Sequence, residues 1–470
     1  MNPFLENIKK SSVVRFFYRL PFFTGTYHFS LAFLAALFYG FPSRKLIVVG
    51  VTGTKGKTTT CNLIADILDS AGFKTGLATT INFRIGDREW ANETKQTMLG
   101  RFALQKLLAE MAKAGCRYAI IETSSEGILQ YRQRFINYRT AVFTNLSPEH
   151  IERHGGFENY RVAKVKLFEQ VGRKKNGIGI YNLDDESVEY FLKPDVKNKY
   201  GYAMKSSKFE VRCSEFEARG SEELGLEKVF HIANVRLGPN GSKFSFANEE
   251  FEMPLIGEFN VYNAAAAIVT AISQDIPLEK IQSAMKTVGP VRGRLEVIDK
   301  GQPFTLIVDY AHEPKSLQAI YESAKLFEPK RIIGLLGSQG GGRDRWKRSA
   351  MGKVAAEYCD VIILANEDPY DENPMDIMND VESGVLQLRS SILPPSPRLR
   401  RAGEHRTVYK IIDRREAIEK AISIAQKGDV VVLTGKGGEV WMCLENGKKI
   451  PWDERKVAEE TLSKKFLKQN

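Results

Sequence analysis

Val48-Val49-Gly50-Val51-Thr52-Gly53-Thr54-Lys55-Gly56-Lys57-Thr58-Thr59-Thr60 is the stretch on which the reading of this chain turns. The β-branched run Ile47 to Val51 predicts a buried strand, and the run Cys61 to Leu68 predicts an amphipathic helix opened by Thr58. Between them Gly53 and Gly56 let the backbone curl so that its N–H groups face an anion, beside a helix N-terminus that attracts negative charge. In that setting Lys57 reaches the β- and γ-phosphates of a nucleotide, and the Thr58 hydroxyl reaches Mg²⁺. The strict spacing asks for glycine at position 51, and the chain carries it one residue earlier, at Gly50. A glycine turn closing an ordinary βα unit would leave Lys57-Thr58 without a role, so the loop is read as nucleotide-binding.

Working outward, Leu63 to Ala71 continues the helix until Gly72, and Thr75 to Asn82 predicts the next strand. Leu99 to Ala114 has helical apolar spacing and is closed by Gly115. Tyr118 to Glu122 and Thr140 to Asn145 are short apolar runs that deliver polar residues at their C-terminal ends. Strands alternating with helices argue for a parallel doubly wound sheet, which takes ligands at the carboxyl ends of its strands. From Lys205 to Pro254 shorter runs with turn signals such as Gly238-Pro239-Asn240-Gly241 predict an antiparallel insertion, followed by a helix around Asn263 to Ser273. Gly289-Pro290-Val291-Arg292-Gly293 reads as a hinge, after which alternation restarts at Leu306 to Asp309, Arg331 to Leu336, Val361 to Ala365 and Val430 to Thr434. The expected class is α/β: a P-loop doubly wound ATPase domain over 45–290 and a second, Rossmann-like domain over 291–470, preceded by a short apolar segment, 1–44.

Composition bounds the partners. With 43% hydrophobic and 27% charged residues in 470, the chain reads as globular, in two or three domains. A formal charge of +11 suits anionic partners such as nucleotides and equally suits a solvated basic surface. Without an aromatic-rich RNA motif or zinc-finger spacing it gives no ground for nucleic acid. Cys61, Cys116, Cys213, Cys359 and Cys443 form no CxxC pair and are odd in number, which fits a reducing cytoplasm.

The N-terminal segment stands apart. No Asp, Glu, Lys or Arg occurs between Arg19 and Arg44, Leu31 to Phe41 is almost wholly apolar, and Lys9, Lys10, Arg15 and Arg19 precede it. Its continuous apolar part is short for a bilayer span, and Thr24, Thr26, His28 and Ser30 interrupt the rest. Three readings stay open: a helix packed on the ATPase domain, an interfacial helix making weak membrane-surface contact, and a true span.

Glu122 at a strand end, His150 after Thr144-Asn145-Leu146-Ser147, and Lys164 after Tyr160 make a candidate cation site near the phosphates. Carboxylate and imidazole suit a divalent ion there. Lysine does so only if CO₂ carbamylates it into an anionic oxygen ligand; otherwise Lys164 is a helix-surface lysine.

Gly50 to Thr60, Ile121 to Ser125, Thr144 to His150 and Tyr160 to Lys164 together closely resemble the Mur ligase family. The likeness continues through Ile256 to Ala264, Gly293 to Glu296, Asp309 to His312, Gly340 to Arg348, Glu367-Asp368-Pro369 and Gly435 to Glu439. The resemblance, spanning roughly residues 45 to 460, implies an ATP-dependent ligase that adds an amino acid to a muramyl-peptide acceptor in peptidoglycan synthesis. It implies that Gly53, Thr54, Lys55, Gly56, Lys57, Thr58 and Thr59 hold ATP phosphates, and that Thr58, Glu122, His150 and carbamylated Lys164 gather Mg²⁺. It puts Asn263 at adenine, with Arg294, Asp309 and His312 closing on the nucleotide. Ser124 and Arg132 match positions that hold the acceptor; Arg343, Asp368, Gly435 and Glu439 match positions around the incoming amino acid. In the chemistry implied, a carboxylate attacks the γ-phosphate to give an acyl phosphate and an amine displaces phosphate, behind closure about the hinge.

The chain departs from the family in places. Lys55 replaces the usual asparagine, and Glu126 and Gly438 replace histidines that members often carry. Tyr370 stands where diaminopimelate-adding members have an arginine. Within Glu367-Asp368-Pro369-Tyr370-Asp371-Glu372 this favours an amino acid with a cationic end, lysine or ornithine. Fewer than fifty residues precede the loop, where members carry a uridine-binding domain, so the UDP clamp is expected to be missing or reduced to the apolar segment, with UDP met by another contact or with a different acceptor, a lipid-linked or nucleotide-free peptide. The alternatives are a folylpolyglutamate-type ligase, disfavoured by Asp309 to His312 and Gly435 to Glu439, a non-catalytic ATP-binding subunit, and a GTPase, disfavoured by the lack of an NKxD motif.

Overall fold

The computed structural model describes residues 21–149, 151–204, 225–391 and 407–467. They form two compact units. The described residues within Met1–Ser147, Phe157–His231 and Ala264–Ala284 make the first, and those within Pro148–Gly156, Ile232–Asn263 and Met285–Asn470 the second.

The first sheet is built around β1 (Ile47–Thr52), which pairs in parallel with β5 (Tyr118–Glu122) on one side and β6 (Tyr138–Phe143) on the other. Five of the six β1 residues are buried, as a strand covered on both faces requires. Gly50 belongs to this strand rather than to the loop: a Cβ there would come within 2.8 Å of the Tyr138 ring. Beyond β6 run β7 (Ile178–Asn182) and β8 (Asn198–Ala203), both parallel.

Beyond β5 lie β2 (Thr75–Ala78), β3 (Asn82–Ile85) and β4 (Arg88–Ala91). The strand predicted over Thr75 to Asn82 is thus broken. Thr79 hydrogen-bonds through N–H and hydroxyl to the Asn82 carbonyl, at 3.0 Å each, and reverses the chain so that β3 runs antiparallel to β2.

The expected antiparallel insertion is instead the far edge of the same sheet. β9 (Lys228–Gly238) pairs in parallel with β8, then β10 (Gly241–Phe246) and β11 (Glu249–Met253) follow as antiparallel neighbours. Residues 205–224 of the predicted stretch lie outside the described residues.

The second sheet has the order β12 (Glu296–Ile298), β13 (Thr305–Val308), β17 (Val430–Leu433), β14 (Ile332–Leu336), β15 (Val361–Ala365), β16 (Thr407–Ile411). All pairs are parallel except β12 with β13. Side chains alternate across a strand, so each strand must feed two cores. Ile307, Ile332, Leu336, Ile362, Leu364, Val430 and Val432 enter one core; Leu306, Val308, Ile333, Leu335, Ile363, Val431 and Leu433 enter the other. That division is the signature of a doubly wound sheet. A fully buried ion pair pins the last helix: Arg414 meets Glu454 at 2.6 Å and also donates to the Asn366 and Thr434 carbonyls.

The N-terminal segment is helical over Pro21–Phe38 and packs on the helix Arg101–Lys113, burying Ala32, Ala35 and Ala36. Among the described residues no helix is long and apolar enough to cross a membrane. The helix is therefore packed on the protein, the first of the three readings, and a true span finds no support among the described residues. Cys61, Cys116, Cys359 and Cys443 are buried thiols outside any disulfide, and Cys213 lies outside the described residues.

Candidate active site

In the first unit β1 ends at Thr52 and the chain turns through Gly53 (φ 150°) and Gly56 (φ 79°) into the helix Lys57–Ser70. A Cβ on Gly53 would stand 2.0 Å from the Thr144 hydroxyl and 2.9 Å from the Asn145 carbonyl oxygen, so only glycine fits. The loop is held from outside. The Thr54 N–H donates to the Asn145 carbonyl at 2.8 Å, and the Lys55 N–H to Asn145 Oδ1 at 2.9 Å. The Thr144 hydroxyl donates to the Lys55 carbonyl at 2.7 Å. Lys57 Nζ folds back on the Thr54 carbonyl at 2.7 Å, a side chain poised over the cradle. Thr59 is buried in the first turn of the helix.

Two predicted Mg²⁺ ligands meet: Thr58 Oγ1 donates to Glu122 Oε2 at 2.9 Å, and the same oxygen accepts the Thr80 N–H at 2.8 Å. Glu122 ends β5 and Thr58 opens the helix, so the parallel pairing of β1 with β5 brings them together. A hydroxyl and a carboxylate are the hard oxygen donors that Mg²⁺ takes beside phosphates. His150 lies outside the described residues, and among these no three His, Cys, Asp or Glu converge as a metal site.

Lys164 is not a surface lysine. It sits on the helix Phe157–Gly172, is 2% exposed, and donates from Nζ to the Gly53 carbonyl at 2.6 Å. Its ammonium also lies 4.6 Å from the centre of the Tyr160 ring, and the Tyr160 hydroxyl pairs with Thr54 Oγ1 at 3.0 Å. The helical spacing of Tyr160 and Lys164 therefore places both beneath the phosphate loop.

On the acceptor side Ser124 caps the helix Ser125–Leu129, its hydroxyl accepting the Gly127 N–H at 3.1 Å. Arg132 donates to Gln96 Oε1 at 2.9 Å and Gln130 Oε1 at 2.7 Å, and to the Met98 carbonyl. Burial and the neighbouring Arg101 lower its pKa.

In the second unit Asp309 accepts the Leu295 N–H at 2.7 Å and the Ala311 N–H at 2.6 Å. The Arg294 guanidinium lies over the Tyr310 ring at 4.3 Å. His312 faces the Tyr310 carbonyl at 2.8 Å and Glu149 at 3.2 Å, two acceptors that the N–H groups of an imidazolium satisfy together. Asn263, on the helix Glu258–Ile272, donates to Asn260 at 3.0 Å. His312 and Arg343 share a cleft with Glu149, Glu313, Gln339 and Lys347; Lys347, missed by the sequence reading, donates to the His312 carbonyl at 3.0 Å.

The residues matched to the incoming amino acid also gather. Lys436 Nζ binds Asp368 at 2.9 Å, Glu439 at 2.6 Å and the Trp441 carbonyl at 2.7 Å, and Tyr310 donates to Glu439 at 3.2 Å. Glu372 pairs with Arg348 at 2.8 Å, and Asp371 accepts the Asn446 N–H at 2.7 Å. The acidic run around Tyr370 is thus largely engaged.

Glu367, which the sequence marks only as one acid of that run, is the exception. It is fully buried, neither carboxylate oxygen has a hydrogen-bond partner, and a Cβ on Gly435 (φ 103°) would come within 2.4 Å of it. Burial pushes its pKa up to about 7, against the pull of Lys347, Arg414 and Lys436. Tyr370 adopts φ 51°, and its ring fills the space where a Cβ on Gly341 would fall, at 2.7 Å.

A phosphate-binding loop feeding a doubly wound sheet, with a second parallel α/β unit, defines a nucleotide-dependent enzyme of the P-loop class. The profile of the Mur ligase middle domain matches residues 51–271, and that of the Mur ligase glutamate ligase domain matches 293–437. The UDP-N-acetylmuramyl-tripeptide synthetase of Roseiflexus sp. (strain RS-1) is 35% identical over 447 residues, 92% of this chain and 82% of the relative. The UDP-N-acetylmuramoyl-L-alanyl-D-glutamate–2,6-diaminopimelate ligase of Geobacillus kaustophilus (strain HTA426) is 36% identical over 435 residues, 91% of this chain and 81% of the relative. A solved ligase of the latter name superposes with a TM-score of 0.56 at 28% identity, covering 90% of this chain and 79% of its own. The chain belongs to the Mur ligase family, the ATP-dependent ligases of peptidoglycan synthesis.

Proposed function

We propose that this enzyme joins an amino acid to the carboxylate of a muramyl-peptide acceptor, with the residues above in the roles their positions suggest. The Gly53 to Thr59 loop amides and Lys57 take the ATP phosphates, while Thr58 and Glu122, with His150, hold Mg²⁺, which offsets phosphate charge. The acceptor carboxylate, oriented by Ser124 and Arg132, attacks the γ-phosphorus as the bond to ADP breaks. The amine then attacks the acyl carbon, phosphate leaves with the former carboxylate oxygen, and the amine's surplus proton passes to solvent or a base. Phosphoryl transfer of this kind needs charge neutralisation and in-line positioning more than a protein nucleophile. Asn263, Arg294, Asp309 and His312 serve the nucleotide in this reading. The observation that carries it is the Thr58–Glu122 contact at the mouth of a loop under which Lys164 is buried.

Carbamylation of Lys164 belongs to the reading. A lysine that is 2% exposed is a costly place for an ammonium, whereas a carbamate keeps an N–H for the Gly53 carbonyl and adds two oxygens that share one negative charge. For the incoming residue we favour lysine or ornithine, held near Arg343, Asp368, Gly435 and Glu439. Tyr370 offers no cation for a second carboxylate, and the unpartnered Glu367 beside Gly435 offers an anchor for a cationic group. The same reading puts the enzyme in the cytoplasm, where ATP is available. Acceptor-dependent ADP release with UDP-muramyl-dipeptide across a panel of amino acids tests the specificity. Lysine or ornithine should exceed diaminopimelate by at least about tenfold in kcat/KM, the worth of one good charge contact; turnover with diaminopimelate alone would sink this part.

A further inference from the structure

From Tyr27 onward the helix Pro21–Phe38 exposes most of its large residues. Its buried positions are small, Ala32, Ala35 and Ala36, which lets it lie close on the helix Arg101–Lys113. Tyr27, Phe33, Leu34, Leu37 and Phe38 face outward, with Leu37 53% and Phe38 75% exposed. Phe102 continues this surface, its ring 6.3 Å from that of Phe38, and is itself exposed. Spacings of three and four residues put these side chains on one stripe. A contiguous patch of this kind marks a contact with an apolar phase or partner.

The charge around the patch points to the occupant. The helix carries no Asp, Glu, Lys or Arg from Pro21 to Phe38, and the exposed Arg44 and Lys45 follow at once in the turn Pro42–Lys45. Arg44 is held over the Phe41 ring at 4.5 Å. On the inward side Arg101 contacts His28 and also donates to the Gln130 carbonyl. The other face of the helix is covered by the protein, so its exposed apolar and aromatic residues, followed by Arg44 and Lys45, suit the headgroup level of an anionic bilayer, where apolar side chains bury and cations meet lipid charge. The helix is too short and too interrupted to cross it.

We propose that the outward face of Pro21–Phe38, with Phe102, Arg44 and Lys45, docks the enzyme on an anionic membrane surface. The face commits to lipid rather than to a second copy because its cationic border would repel its own image. Through Arg101 and Gln130 the docked helix is tied to the turn that carries Ser124 and Arg132, so the acceptor is met at the headgroup layer. That consequence rests on the acceptor reading above; the docking itself does not.

Full-length protein is sedimented with phosphatidylcholine vesicles, with and without phosphatidylglycerol. Phosphatidylglycerol should raise the bound fraction at least about tenfold, from two interfacial cations at roughly 1 kcal/mol each, and added salt should reverse the gain. The triple variant Leu34→Ser/Leu37→Ser/Phe38→Ser, all outward positions, should lose binding to both vesicles, and Arg44→Glu/Lys45→Glu should lose only the phosphatidylglycerol dependence. Wild-type protein staying in the supernatant with both vesicles overturns the proposal. So does self-association in sedimentation velocity that the triple variant abolishes, which would assign the face to a second copy. ATP turnover without vesicles, measured alongside, reports on the ligase reading separately.

Discussion

Lys164→Ala should lose about three orders of magnitude in kcat, the scale on which removal of a preorganised charge-stabilising group acts. The side chain lies under the phosphate loop, with its Nζ donating to the Gly53 carbonyl at 2.6 Å. Truncation therefore removes both a support of the loop and, in the carbamylated form, an anion beside the metal. The two roles separate by rescue. If Lys164 works as a carbamate, acetate or propionate in the vacated space should restore part of the turnover and methylammonium should not. If it works as an ammonium, the preference reverses. Retained folding and ATP binding in the variant are the controls, since an unpaired Gly53 carbonyl costs only about 1–3 kcal/mol.

Glu367→Gln should stabilise the protein at alkaline pH and do little in acid. The carboxyl is raised from 4.5 to about 7 by burial. Below pH 4.5 the group is protonated in folded and unfolded chains alike, so it costs nothing. As pH rises through that value the unfolded chain ionises while the folded one keeps its proton, and stability falls until pH passes about 7. The whole excursion is worth roughly 3 kcal/mol, from 1.36 kcal/mol per pKa unit. Denaturant unfolding of wild type and variant at pH 5 and pH 8 measures it. The variant should match wild type at pH 5 and exceed it at pH 8, and a difference that does not change with pH would contradict the burial argument. Because Glu367 packs against Gly435, the same substitution should raise KM for the amino acid if this carboxylate anchors a cationic group.

Much of the loop's geometry was legible in the chain. Glycines with positive φ, a β-branched strand before them and Lys57-Thr58 after them have few other uses, and Gly53, Lys57, Thr58 and Glu122 fall together as read. The six-stranded sheet was legible through runs such as Val361 to Ala365, which came out residue for residue. The short or polar strands were not: Thr407–Ile411 has three exposed or half-exposed polar positions, and Glu296–Ile298 is three residues long. The break at Thr79 was hidden because Thr79-Thr80-Ile81 has strand-forming residues, and only the hydrogen bonds from Thr79 to Asn82 turn the chain there. Lys164 could not be located from composition, since a lysine in a helix is exposed in most settings; the signal was its spacing from Tyr160, which faces the same loop. Glu367 escaped because its neighbours Asp368, Asp371 and Glu372 looked alike in sequence, and only folding shows which acids acquire partners. The outward-facing helix inverts the usual rule of large residues inside, which no apolar count distinguishes from a core helix.

If the loop and its carboxylate partner serve to phosphorylate a carboxylic acid, an oxygen of the acceptor must leave with the phosphate. ATP is turned over with an acceptor labelled with ¹⁸O in its carboxylate, and the released phosphate is weighed by mass spectrometry. Each phosphate should carry one ¹⁸O atom and the amide product one fewer. Unlabelled phosphate, or release of AMP and diphosphate in place of ADP, would contradict it.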